Sequence, residues 1–90
     1  MKYRSRTDIF ATILSSAAGE RGILPIRLMY SAFLSYDQSK EYFEILLRNG
    51  LLRQDLNTKE YRTTGKGLKY LKLYKEMKEL VKILPTDEGV

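Results

Sequence analysis

The stretch from Leu34 to Leu52 constrains the fold more than any other part of the chain. Ser35 is placed to cap a helix, because its hydroxyl can accept a bond from an orphan amide of the first helical turn. Gln38, three residues on, completes an S-x-x-Q capping box. Ser39, Tyr42, Phe43, Leu46, Leu47 and Gly50 then fall on one helical stripe. Asn49-Gly50 ends the helix, since either residue can take the left-handed conformation that a helix end needs. Leu51 and Leu52 open an extended segment. The spacing predicts a helix over Tyr36–Asn49 with a turn before it and a strand after it.

The flanking segments supply the rest. A first helix is predicted from about Thr7 to Ala18, with Ser5 as cap, Asp8 three residues on and Gly19 as the stop. Ile9, Phe10, Ile13, Leu14 and Ala17 form its buried stripe. A short second helix, about Pro25 to Ala32, starts on proline, and Ile26, Met29, Tyr30 and Phe33 are expected to pack on the first. After the long helix, Leu52–Leu56 and Glu60–Thr63 read as paired strands. Asn57-Thr58-Lys59 is the turn, with Asn57 supplying the special backbone conformation. Leu52, Leu56 and Tyr61 are expected to point inward, and Arg53, Lys59 and Arg62 outward. Thr64 caps a last helix over Lys66–Leu84, roughly 28 Å long at 1.5 Å per residue. Gly65 and Gly67 are expected to loosen its first turn. Pro85 ends it.

Two helices joined by a tight turn, the second long and capped, followed by a hairpin, is the order of a winged helix-turn-helix. The expectation is an α+β fold: three helices plus a β-hairpin wing, with a long C-terminal dimerisation helix. Residues 1–64 would form the winged-helix domain with its basic arm, residues 65–84 the dimerisation helix, and residues 85–90 a loose tail. Tyr70, Leu73, Met77, Leu80 and Leu84 follow a 3-4-3-4 spacing, the seam of a short coiled coil. A body of this size cannot cover the stretch from Met77 to Leu84, so a second copy related by two-fold symmetry is the expected partner. The bland reading folds that helix back along its own domain.

Ninety residues suffice for one small domain. Cysteine and histidine are absent, which removes disulfides, thiolate nucleophiles, the commonest metal ligand and the commonest acid-base group near neutral pH. No enzyme, cofactor or metal site is expected. Gly65-Lys66-Gly67 lacks the spacing of a phosphate-binding loop, and Asp37 and Glu41, four residues apart, read as an exposed helix face. The apolar run Ile9–Leu14 is too short for a signal peptide and has Asp8 directly before it. No segment approaches the ~20 apolar residues of a membrane span. The expected setting is the cytoplasm, on the nucleoid. Lys and Arg number 16 against 11 acids, a formal charge of +5, which favours polyanionic partners.

Double-stranded DNA is therefore the expected partner, with Tyr36–Asn49 as the recognition helix. Tyr36, Gln38, Ser39 and Lys40 are the candidates for its reading end. Arg4 and Arg6 of the arm (with Lys2), Arg27 of the second helix and Arg53, Lys59 and Arg62 of the wing are the candidate phosphate contacts. Each also has a plain reading as a solvated surface charge. One feature resists this picture. The outer face of the helix carries Asp37, Glu41 and Glu44 against Lys40 and Arg48, where a helix in a phosphate-lined groove is normally neutral or basic. The acids either read bases, or the helix enters shallowly, or this face binds protein. The protein-interaction module is the alternative function.

Leu34-Ser35, Tyr42-Phe43, Leu46-Leu47, Asn49-Gly50-Leu51-Leu52, Tyr61, Thr64-Gly65-Lys66-Gly67 and Leu71, in that order, resemble an archaeal winged-helix family. The chain is similar in particular to small dimeric DNA-binding proteins of about ten kilodaltons, of chromatin or regulatory type. Ser5, Met29-Tyr30, Tyr36 and Leu52-Arg53-Gln54 add to the likeness, which covers about residues 4–84. It implies a last helix paired antiparallel across a two-fold axis and DNA binding, architectural or regulatory. The acidic outer face and a shorter last helix depart from that pattern.

Overall fold

The computed structural model describes residues 4–83. Lys2 of the arm, Leu84 of the seam and the tail from Pro85 lie outside the described residues. The elements run α1 (Arg6–Ser16), α2 (Pro25–Ser31), α3 (Tyr36–Arg48), β1 (Leu52–Gln54), β2 (Tyr61–Thr63) and α4 (Gly65–Ile83). Helices α1 to α3 with the β1–β2 hairpin form a winged helix, and α4 packs back on α1.

Local chemistry starts each long helix. Ser5 Oγ accepts from the Asp8 amide at 3.1 Å and the Asp8 carboxylate from the Ser5 amide at 3.3 Å. Ser35 and Gln38 repeat this box at 3.1 and 2.9 Å. Two orphan amides are satisfied at each start. Thr64 Oγ1 caps α4 by accepting from the Gly67 amide.

Ile13, Leu14, Leu28 and Leu46 are fully buried at the centre, ringed by Ile9, Ala17, Met29, Leu34, Phe43, Leu52 and Tyr61. Burying each aliphatic side chain of that kind is worth about 1.5–3 kcal/mol. Phe43 meets Tyr61 edge-on with ring centres 5.1 Å apart, fixing α3 against the hairpin. Thr63 ties the hairpin root to the end of α1. Its hydroxyl donates to the Leu14 carbonyl at 2.7 Å and its amide to the Ala17 carbonyl at 2.9 Å, satisfying carbonyls that the helix end leaves open. Ile23 adds an isolated β-bridge to the hairpin, exchanging two backbone bonds with Tyr61 at 3.0 and 2.7 Å.

Three expectations are corrected. On and just after α2, Leu28, Met29 and Ala32 pack inward, while Ile26, Tyr30 and Phe33 are exposed; apart from Arg27 and Ser31 this short segment carries apolar groups on several sides, so periodicity does not choose its face. In the hairpin the strands are shorter than expected and Leu56 lies in the turn, exposed. The turn is set by Asp55, whose carboxylate accepts from the Asn57 and Thr58 amides. Its left-handed residue is Lys59, at φ 68°, not Asn57. At the root of α4, Gly67 is tight rather than loose. A Cβ there would lie 2.3 Å from the Leu51 carbonyl oxygen and 2.5 Å from Thr63 Cγ2, so only glycine lets the helix lie against the wing root.

Candidate nucleic-acid interface

Helix α3 buries Phe43 and Leu46 and turns Tyr36, Asp37, Gln38, Lys40, Glu41, Glu44 and Arg48 outward. Its acidic face is compensated in place. Arg6 reaches Glu41 at 3.3 Å from the start of α1, and Arg48 pairs with Glu44 one turn back. Exposed pairs of this kind add little stability, but they cancel charge where it matters electrostatically. Adding Arg6 balances the three acids and two bases of α3. Asp37, in the first turn, suits the positive end of the helix dipole.

At the leading end, Tyr36 is exposed and the Lys40 ammonium sits 5.4 Å from its ring centre, a cation–π pair that presents an aromatic edge and a charge together. Gln38 is exposed, but its amide oxygen is committed to the Ser35 amide, leaving its NH₂ group to donate. Ser39 does not belong with them. It is 5% exposed and its hydroxyl donates to the Tyr36 carbonyl at 2.7 Å, because it lies on the buried stripe of the helix rather than its outer face. A groove of about 720 Å³ runs beside this end between α2 and α3, with Met29, Phe43 and Tyr61 among its lining residues and Tyr36, Lys40 and Arg48 beside them.

The arm is joined to the same surface. Arg4 donates to the Phe33 carbonyl at 3.1 Å, in the turn before α3. Arg6 lies over the Tyr42 ring as well as against Glu41. Arg27 is exposed on α2 and makes no ion pair among the described residues.

On the wing, Arg53 stands directly opposite Arg62 on the outer strand face. Like charges opposed in this way destabilise a hairpin, and Asp55 and Glu60, which line the same cleft, partly offset them. Lys59 follows at the turn, exposed. Tyr36, Lys40, the arm and the wing are thus set on elements that share one core. Sequence reasoning missed the Arg6–Glu41 pair, which spans 35 positions and leaves no local signal. It also missed the Arg48–Glu44 pair, which the four-residue spacing could have revealed.

Helix α4 has two sides. Tyr70, expected in the seam, faces its own domain: its hydroxyl donates to the Thr7 carbonyl at 3.0 Å and its ring stacks on Tyr74. The Tyr74 hydroxyl donates to the Asp8 carboxylate, and Lys78 stands 3.7 Å from the same group. The Tyr74 and Ser5 bonds hold the Asp8 carboxyl below its ordinary range. Tyr74 is pushed up to about 12, first by its bond to Asp8 and then by burial and nearby charge. On the other side Leu73, Met77, Leu80 and Val81 are exposed.

The winged helix-turn-helix family matches residues 3–82. Among solved structures the chain is similar to a multiple antibiotic-resistance repressor (MarR) from Listeria monocytogenes 4b F2365, with a TM-score of 0.64 at 16% identity, over 90% of this chain and 62% of that one. The chain thus spans less than two thirds of that neighbour, and at this identity the likeness is one of fold. No curated protein matches. Among the described residues no helix is long and apolar enough to cross a membrane.

Proposed function

The chain belongs to the winged helix-turn-helix family, and on that premise we propose that it binds double-stranded DNA as a dimeric transcriptional regulator. The observation that carries this reading is the in-place neutralisation of α3: with Glu41 held by Arg6 and Glu44 by Arg48, the acidic face no longer opposes a phosphate-lined groove. Tyr36, Gln38 and Lys40 then meet base edges in the major groove. Arg4, Arg27, Arg53, Lys59 and Arg62 meet phosphates and set register. The repressor named for the Listeria neighbour favours a regulatory over an architectural role. The cell compartment that follows is the cytoplasm, at the nucleoid.

The second copy docks through α4, whose outward side carries Leu73, Met77, Leu80 and Val81 uncovered. A contiguous apolar stripe of this kind is ordinarily covered by a partner. Leu80→Asp yields monomers in light scattering under this reading, and a variant that stays dimeric refutes the α4 interface. Antiparallel pairing is the arrangement that the archaeal likeness supplies.

The test of DNA binding is affinity for a labelled mixed-sequence duplex across a salt series. Log affinity falls with log salt at a slope of about −0.9 per neutralised phosphate. Glu41→Lys keeps or tightens binding, since it removes an acid from the DNA-facing surface. The same variant loses its partner if the acidic face of α3 is instead a protein-docking site, and a flat salt response with no binding at low salt would favour that alternative.

A further inference from the structure

We propose that Leu56, at the tip of the wing, is an apolar wedge that enters the minor groove and opens a base step, so that the protein prefers duplexes that kink easily. The inference rests on the DNA-binding reading and names a residue and a recognition mode that reading does not contain.

Leu56 is 82% exposed. A lone exposed leucine is ordinary, but this one sits on a tip whose backbone is locked. The Asp55 carboxylate accepts from the Asn57 and Thr58 amides at 2.7 and 3.0 Å, and the Asp55 carbonyl accepts from the Lys59 amide at 2.8 Å. Thr58 Oγ1 accepts from the Glu60 amide, and the Gln54 side chain donates to the Lys59 carbonyl. These five bonds hold a six-residue connection in one shape, with Lys59 in the left-handed region. A side chain presented by a rigid loop loses little further freedom on insertion. The Asp55 carboxylate is held below its ordinary range by those amide bonds, and less strongly by nearby Arg53, so it stays ionised at the base of the tip.

Behind the tip three cations outnumber the two acids of the same hairpin, Asp55 and Glu60, which share the cleft of Arg53 and Arg62. Arg53 and Arg62 lie side by side on the outer strand face and Lys59 ends the loop. Cations flanking an apolar residue match a groove whose walls are phosphates and whose floor is base edges. Apolar wedges in minor grooves partly unstack a step and kink the duplex, and the cost depends on the step: pyrimidine–purine steps open readily, whereas continuous A-tracts are stiff.

Two duplexes of identical base composition separate these cases without knowledge of an operator: one of alternating T and A, rich in TpA steps, and one with a continuous A-tract. Each carries 2-aminopurine as a reporter of unstacking. The wild-type chain is expected to bind the alternating duplex about fivefold more tightly or better, with a rise in 2-aminopurine fluorescence on that duplex. Leu56→Ala abolishes both the preference and the rise while retaining the salt-dependent binding to the A-tract, and Leu56→Met restores them. Leu56 lies outside the core, so the alanine variant is expected to keep the wild-type melting midpoint. Unchanged preference and fluorescence in Leu56→Ala overturn the inference and leave DNA binding standing. A change of mass in light scattering with no change on DNA also overturns it, and assigns Leu56 to contact between copies. Failure of the wild-type chain to bind either duplex at low salt removes the DNA reading and the wedge together.

Discussion

Helices α2 and α3 end in the same hydrogen-bond pattern with opposite residues at the critical position. After α2 the Phe33 amide donates to the Tyr30 carbonyl and the Leu34 amide to Met29; after α3 the Gly50 amide donates to Leu47 and the Leu51 amide to Leu46. Both are Schellman ends, which need one residue in the left-handed region. At α3 that residue is Gly50, φ 76°; at α2 it is Phe33, φ 59° and 81% exposed. The supports differ as well. Around Gly50 the carbonyls are taken by the root of α4, Thr64 Oγ1 on Gly50 and Lys66 Nζ on Asn49. At Phe33 the carbonyl is held by Arg4 from the arm. The end that leads into the wing is thus built for ease, and the turn that leads into α3 carries strain at its surface.

The largest effect is expected where ease is removed. Gly50→Ala puts a Cβ into the left-handed region and should lower unfolding free energy by about 1–2 kcal/mol, read as a drop in denaturation midpoint. The reverse substitution at the other end, Phe33→Gly, relieves strain while losing no buried surface; a gain of about 1 kcal/mol is expected. If Phe33→Gly destabilises the chain instead, the phenyl ring makes a contact that its exposure hides, and the contrast between the ends fails.

A smaller, pH-dependent effect sharpens the contrast. Arg4 precedes the Ser5–Asp8 box that starts α1, and the Asp8 carboxyl is lowered by its bonds to Tyr74 and Ser5. Its contribution is therefore complete above the ordinary value of 3.8 and is lost as pH falls through the lowered one. Amide exchange at Phe33 and Leu34 should accelerate in that acid range, while Gly50 and Leu51, held by Thr64 and Lys66, should not respond. On the alkaline side Tyr74, raised to about 12, gives a contribution that is whole below its ordinary value of 10.0 and is lost as pH rises through about 12. Tyrosinate absorbance in wild type and Tyr74→Phe checks that limit.

What could be read before the structure follows the range of the forces involved. Ser5 with Asp8, Ser35 with Gln38 and Thr64 as a cap act within four residues, and each is found where spacing put it. The order of elements followed, and with it the winged-helix fold. Side-chain direction on α2 did not, because Ile26, Leu28, Met29, Tyr30, Ala32 and Phe33 offer apolar groups on several sides. The wing turn was misassigned to Asn57, because an asparagine and an aspartate two positions apart both suit a turn and only the backbone chooses Asp55. The charge on α3 was misjudged for a different reason: Arg6 is distant in sequence and adjacent only once α1 has packed. Ser39 was counted as a reader from its place near the helix start, although the stripe it shares with Phe43 already assigned it inward.

The close seat of Gly67 on Leu51 has a mechanical consequence. Helix α4 is a lever roughly 28 Å long at 1.5 Å per residue, with its pivot clamped where no side chain can be interposed. A tilt of a few degrees at that pivot would swing the far end by on the order of 2 Å over such a length. The far end of α4 is therefore held at a set reach from the wing, with one glycine hydrogen as the gauge block for that distance.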